Sequence, residues 1–262
     1  MLLRRVAFAS GLLLLSAPAL AAPEEVQVYQ DEINKTGEIG LDLHLNTVAD
    51  GSSGADYPGA ESSLHRWRAT PEFSLGLGGG FEAGLYLPLA TLASDGVLRA
   101  EGSKVRLKWI APHNETKGFY WGGNFEIGRV GHALDQNPWN AEFKAIAGWR
   151  NEKFSLAVNG NFDFVVSGPA PAPATFELDT KFGYRVSPKW TLGIESYNGA
   201  GEFKSLGHFG RSEQSTYFVA DTHLGKWDIN FGVGKGYGAN ADSVIIKSVV
   251  SIPLPQFRRH SG

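Results

Sequence analysis

Apolar and polar residues alternate with a period of two over most of the chain, beginning at residues 37–46, G-E-I-G-L-D-L-H-L-N. There Ile39, Leu41, Leu43 and Leu45 share one face, while Glu38, Gly40, Asp42, His44 and Asn46 share the other. A two-residue period puts successive side chains on opposite sides of an extended backbone, so the stretch reads as a strand with one apolar and one polar face. The next stretch, about 66–77, sets Trp67, Ala69, Phe73, Leu75 and Leu77 against Arg66, Arg68, Thr70, Glu72 and Ser74. The same alternation places strands near 81–89, 104–111, 119–127, 142–150, 154–164, 176–185, 190–197, 217–224, 227–234 and 244–254. About twelve strands are therefore expected. A Pro/Ala run at 168–174 interrupts the pattern and cannot lie inside a sheet, because proline offers no ladder donor.

The connections between these strands are of two kinds. Short turns fall at Gly78-Gly79-Gly80, 112–118, 151–153, 187–189 and 225–226, and they alternate with longer loops. Gly78-Gly79-Gly80 is a turn and not a phosphate cradle, because no helix follows it. Residues 26–35 form a short mixed lead-in that could pair, plug a lumen or stay loose.

Composition narrows the class. The 262 residues carry a formal net charge of −3 and no cysteine, which points away from a nucleic-acid partner and from a disulfide framework. Arg4 and Arg5, the apolar run 12–15 and the small residues Ala17, Ala19, Ala21 and Ala22 form a secretory signal peptide, with cleavage expected after Ala21. The expected organisation is a signal peptide over 1–21, a periplasmic lead-in over 22–36, a barrel over 37–257 and a tail over 258–262.

The remaining question is what the apolar faces meet. They hold no Lys, Arg, Asp or Glu, as a lipid-facing surface requires, where a midplane Arg or Lys costs about 2–4 kcal/mol. A soluble core would exclude charge as well, so the tryptophans decide. Trp109, Trp121, Trp149, Trp190 and Trp227 all sit on apolar faces beside short turns, which builds an aromatic girdle at one interface, the periplasmic one. Trp67, beside a long loop, belongs to the opposite girdle. An all-β fold is expected: a single closed antiparallel transmembrane β-barrel, closed because lipid cannot satisfy a free sheet edge.

Signal peptide, alternating strands, short and long turns and tryptophan girdle together resemble the Gram-negative outer-membrane β-barrels of the small porin-like kind. The resemblance spans the mature chain and is architectural, with no subfamily motif. It implies outer-membrane localisation, lipid and the barrel-assembly machinery as partners, small solutes as cargo, and no cofactor. Such barrels often end in an aromatic residue, whereas here Phe257 is followed by residues 258–262.

The polar faces then point into the lumen. Arg66, Arg68, Lys104 and Arg106 form an expected basic wall, and Asp163, Glu177, Asp179 and Glu195 an acidic wall nearly opposite. Charged walls give selectivity in pores, and low-dielectric surroundings focus their field. The expected function is passive diffusion of small polar or anionic solutes. Alternatives are a non-conducting structural or adhesive barrel and a barrel hydrolase. For the last, Asp221-x-His223 resembles the Asp-His pair of outer-membrane omptin proteases but falls at the wrong end of its strand. His208-x-x-x-Ser212 lacks the His-x-Ser spacing of barrel lipases. His44 is expected to line the lumen, and no metal-ligand cluster of useful spacing is visible.

Overall fold

The computed structural model describes residues 25–207, 209–240 and 242–254. The expected signal peptide and the tail lie outside the described residues. Twelve strands form: β1 (Ile39–Asp50), β2 (Trp67–Gly78), β3 (Phe81–Leu92), β4 (Leu98–Ile110), β5 (Gly118–Val130), β6 (Trp139–Arg150), β7 (Phe154–Ser167), β8 (Thr175–Ser187), β9 (Trp190–Glu202), β10 (Glu213–Leu224), β11 (Trp227–Gly238) and β12 (Val244–Pro253). Each pairs antiparallel with its neighbours in sequence, and β1 pairs with β12 through Leu43 opposite Val250, so the sheet closes into a barrel. Closure leaves no edge strand with unpaired backbone groups.

The barrel is inside-out relative to a soluble core. Leu85 leaves 39 % of its surface uncovered, whereas its neighbour Tyr86 is fully covered. Phe73, Leu75, Val105, Leu107, Phe125 and Phe231 are likewise exposed, while Glu72, Arg106, Asn124, Asp179 and Glu195 are buried. An apolar outside around a charged inside is the arrangement that lipid as outer solvent selects.

The tryptophans sort by end. Trp109, Trp121, Trp149, Trp190 and Trp227 stand at the short-turn ends of β4, β5, β6, β9 and β11. Trp109 meets Trp121 edge-on at 5.2 Å and Phe81 at 6.2 Å. Trp67 and Trp139 stand at the long-loop end. The tight turn after β2 has Gly78, Gly79 and Gly80 all at positive φ, a conformation open to glycine and strained for other residues.

β1, β3 and β4 run further toward the long-loop end than the alternation indicates. The pairing of β3 with β4 slips between Tyr86 and Leu89 and again between Leu89 and Ala90. Each slip changes which face the following residues present, so the two-residue period breaks where the strands in fact continue.

Candidate functional site

The lumen is occupied by the protein's own N-terminal segment. Residues 25–36 enter at the short-turn end, where Gly37 N–H donates to the Gly76 carbonyl, and run up inside the barrel. Gly76 allows this entry, because a Cβ there would collide with the backbone carbonyls of Asn34 and Lys35. Asn34 N–H donates to Glu82 Oε2 at 2.7 Å, and its side-chain amide donates to Ser74 Oγ at 2.7 Å. Asp31 pairs with His113 at 2.7 Å and with Arg150. Lys108 donates to the Glu32 carbonyl at 2.8 Å.

Tyr29 is the midpoint. Its backbone N–H donates to Asn159 Oδ1 at 2.6 Å, and Asn159 Nδ2 donates back to the Tyr29 carbonyl at 2.9 Å. One side-chain amide thus satisfies both polar groups of a backbone unit that has no strand partner. The Tyr29 hydroxyl donates to Glu126 Oε1 at 3.0 Å and lies 2.7 Å from the Tyr86 hydroxyl. Three cations surround its ring: Lys144 at 4.6 Å, Lys108 at 5.1 Å and Arg106 at 5.8 Å from the centroid. Each distance lies within the range in which a ring face attracts a cation.

Above Tyr29 the segment turns apolar. Val26 and Val28 are buried in a cluster with Val48, Ala157, Tyr197, Tyr217, Val219 and Ile245. Tyr29 and Ile33 belong to a second cluster with Ile110, Tyr120 and Ile146. Lys247 donates to the Val26 carbonyl at 2.9 Å. Through these contacts the segment meets side chains from β1 to β7, β9, β10 and β12. A cavity of about 540 Å³ opens at the short-turn end among Lys153, Arg185, Lys226 and Asp228 and runs beside the segment as far as Val28, Glu72, Arg106 and Glu195.

The wall charges interleave. Arg106 pairs with Glu82 at 2.8 Å and with Glu72, and Glu72 also meets His44 at 3.2 Å. Arg106 reaches Glu72 on β2 by lying across Gly84 of β3, where a Cβ would stand only 2.5 Å from Arg106 Cγ. Across the lumen Glu195 pairs with Lys181 at 3.2 Å and with Lys247, and Lys181 also pairs with Asp221 at 2.9 Å. Lys144 pairs with Glu142 at 3.1 Å, and Asn161 donates to Asp179 Oδ2 at 2.6 Å.

Of the residues anticipated as a basic wall, Arg106 is thus a buried hub between two carboxylates. Arg66 and Arg68 are buried at the long-loop end within electrostatic reach of Asp242. Lys104 faces Glu142 and Asp163. Of the acidic set, Glu177 lies beside Asp179, and Glu195 is held by two lysines. The anticipated basic groups stand on β2 and β4 and the acidic groups on β7, β8 and β9, with Glu72 on β2 and Lys181 on β8 interleaved among them. Each side nevertheless carries countercharges.

Asp221 and His223 do not form a pair: Asp221 binds Lys181 and Asn230, and His223 contacts Asp228 at the exposed short-turn end. His208 lies outside the described residues.

Tyr29, Asn159 and Glu126 were not singled out by sequence pattern. Asn159 and Glu126 sit at polar-face positions of β7 and β5 like many others, and nothing local marks a partner 130 residues away.

No family model and no curated protein matches the sequence. Among solved structures, the chain is similar to an outer membrane channel from Pseudomonas putida F1, with 13 % identity, a TM-score of 0.60, and coverage of 88 % of this chain and 100 % of that one. It is also similar to the NanC porin, with 8 % identity, a TM-score of 0.51, and coverage of 83 % and 99 %. At these identities the likeness establishes a shared fold: the chain has the twelve-stranded barrel architecture of outer-membrane channels.

Proposed function

We propose that the protein is an outer-membrane channel for small polar or anionic solutes, held closed by its N-terminal segment. One observation carries this reading. The lumen wall carries many charged and hydrogen-bonding groups, and the segment lying in it is held by side-chain contacts and not by a strand ladder. Such contacts can be exchanged for water one at a time, unlike the backbone ladder that holds the strands. A barrel whose only task were structural would gain more from an apolar interior, since buried ion pairs contribute little net stability.

With the segment displaced, Arg66, Arg68, Lys104 and Arg106 would face Asp163, Glu177, Asp179 and Glu195 across open water. The short-turn vestibule mixes Lys153, Arg185 and Lys226 with Asp221 and Asp228, so it adds no single-sign field of its own. Reconstitution into planar bilayers under a salt gradient tests the reading. Brief openings are expected, with a reversal potential that shifts toward cations when the four basic residues are neutralised. Complete absence of conductance in wild type and in segment-loosened variants would favour a structural barrel instead.

A further inference from the structure

At one more place the segment approaches the wall, where Glu25 comes up to the His44–Glu72 contact. Glu25 at the start of the described chain, His44 on β1 and Glu72 on β2 bring one ligand atom each to within 4.8 Å of one another. His44 and Glu72 are about 99 % buried. Glu25 Oε1 is buried with no hydrogen-bond partner. Unsatisfied buried polar atoms of this kind call for an unseen partner.

We propose that Glu25, His44 and Glu72 form a binding site for a divalent transition-metal ion, zinc(II) above all, which staples the N-terminal segment to the barrel wall. The staple's effect on gating rests on the channel reading given above; the metal site itself does not.

Three arguments meet here. The donor set is one imidazole and two carboxylates, a combination used by zinc and poorly suited to calcium or magnesium, which prefer all-oxygen shells of six or more ligands. The spacing fits: His44 Nε2 and Glu72 Oε2 are 3.2 Å apart, close to the roughly 3.3 Å edge of a tetrahedron with bonds of about 2.0–2.1 Å. Charge agrees as well. Glu25, Asp42, Glu72, Glu82 and Glu126 gather here around Arg106, Lys108 and Lys144, and Lys144 is shared with Glu142. That leaves an excess of negative charge for a dication to offset. Arg106 occupies Glu72 Oε1 and so leaves Oε2 to face the site.

The site has two halves, one on the segment and two on the wall. Metal bound there would lower the population of any state in which the segment leaves, by linkage.

The test uses the full mature chain folded in detergent micelles, stripped with chelator and titrated with zinc chloride in a calorimeter. Cobalt(II) in a parallel sample reports geometry. Uptake of one zinc per chain is expected, with cobalt showing the intense visible bands of a tetrahedral site. Both should be lost in Glu25→Gln and in His44→Ala. Glu25→Gln changes no barrel strand, so its fold is safeguarded, and heat-modifiable gel mobility checks both variants. No zinc uptake by wild type would overturn the proposal and leave a proton on His44 as the bridge between the carboxylates. Uptake undiminished in Glu25→Gln would overturn it equally. Conductance is not read in these arms, so their failure is separate from failure of the channel reading.

Discussion

The phenolic hydroxyl of Tyr29 donates to Glu126 Oε1 at 3.0 Å, joining the N-terminal segment to β5 in the middle of the lumen. The same carboxylate oxygen also accepts from Asn124 at 2.8 Å and from Tyr86 at 3.3 Å. Glu126 is thus a buried carboxylate held by three donors, one of which belongs to the segment inside the barrel. This geometry makes Tyr29 the pin that holds the segment in place.

Removing the pin should loosen the segment. Tyr29→Phe deletes one hydrogen bond to a charged acceptor, about 1.5–3 kcal/mol, while keeping the ring among its cations. The expected result is faster hydrogen exchange at residues 26–33 with unchanged exchange in β5. Protection that stays at the wild-type level would show that the segment is held without the Tyr29–Glu126 bond.

Gly84 should be intolerant of side chains. Gly84→Val would push Arg106 off Glu72 and leave buried charges unpaired, a loss of about 3–5 kcal/mol. Urea titration followed by tryptophan fluorescence should show a lower midpoint. Gly123→Ala, where a Cβ meets nothing closer than 3.5 Å, serves as the tolerant control.

The lipid face should reject charge where the lumen accepts it. Leu85→Arg places a cation on the outer surface midway along β3 and should cost about 2–4 kcal/mol of refolding free energy in vesicles. A cost near zero would mean that Leu85 does not face lipid.

One long loop is tied by a phenol. Tyr57 donates to the His132 carbonyl at 2.9 Å and stacks edge-on against the His132 ring at 5.3 Å. Burial, with Asp135 and Asp56 nearby, pushes the Tyr57 hydroxyl up to about 12. A folded-state value above the unfolded one means that the tie is fully present below about pH 10 and is lost as pH rises through 12. Alkaline titration at 295 nm should lose one late-ionising tyrosine in Tyr57→Phe. If the late component is unchanged, the tie is absent.

Much of the barrel is legible in the sequence because its physics is local. Period-two alternation at Ile39–Leu45, the triple glycine after β2 and tryptophans beside short turns each follow from a few adjacent residues. The bulge at Tyr86–Leu89 blurs that signal, which is why β3 and β4 run longer than the pattern indicates. The site is less legible. That Arg106 and Glu72 line one lumen follows from parity. That they touch depends on registers that set Ser74, Gly84 and Arg106 side by side on three strands. The lead-in's place depends on Asn159, 130 residues away, and on the gap at Gly76. Glu25, His44 and Glu72 converge from separations of 19 and 28 residues, with no motif spacing to announce them.

The closed-channel account meets its most direct test in single-channel recording of wild type beside Asn159→Ala. The substitution removes both hydrogen bonds to the Tyr29 backbone and touches no outward-facing group. Wild type is expected to be closed for most of the record. Asn159→Ala should spend several times longer open at the same unit conductance, because the pore is unchanged and only its occupancy by the segment is altered. Equal open probability in a folded Asn159→Ala protein, or a wild type that conducts continuously, would contradict the account.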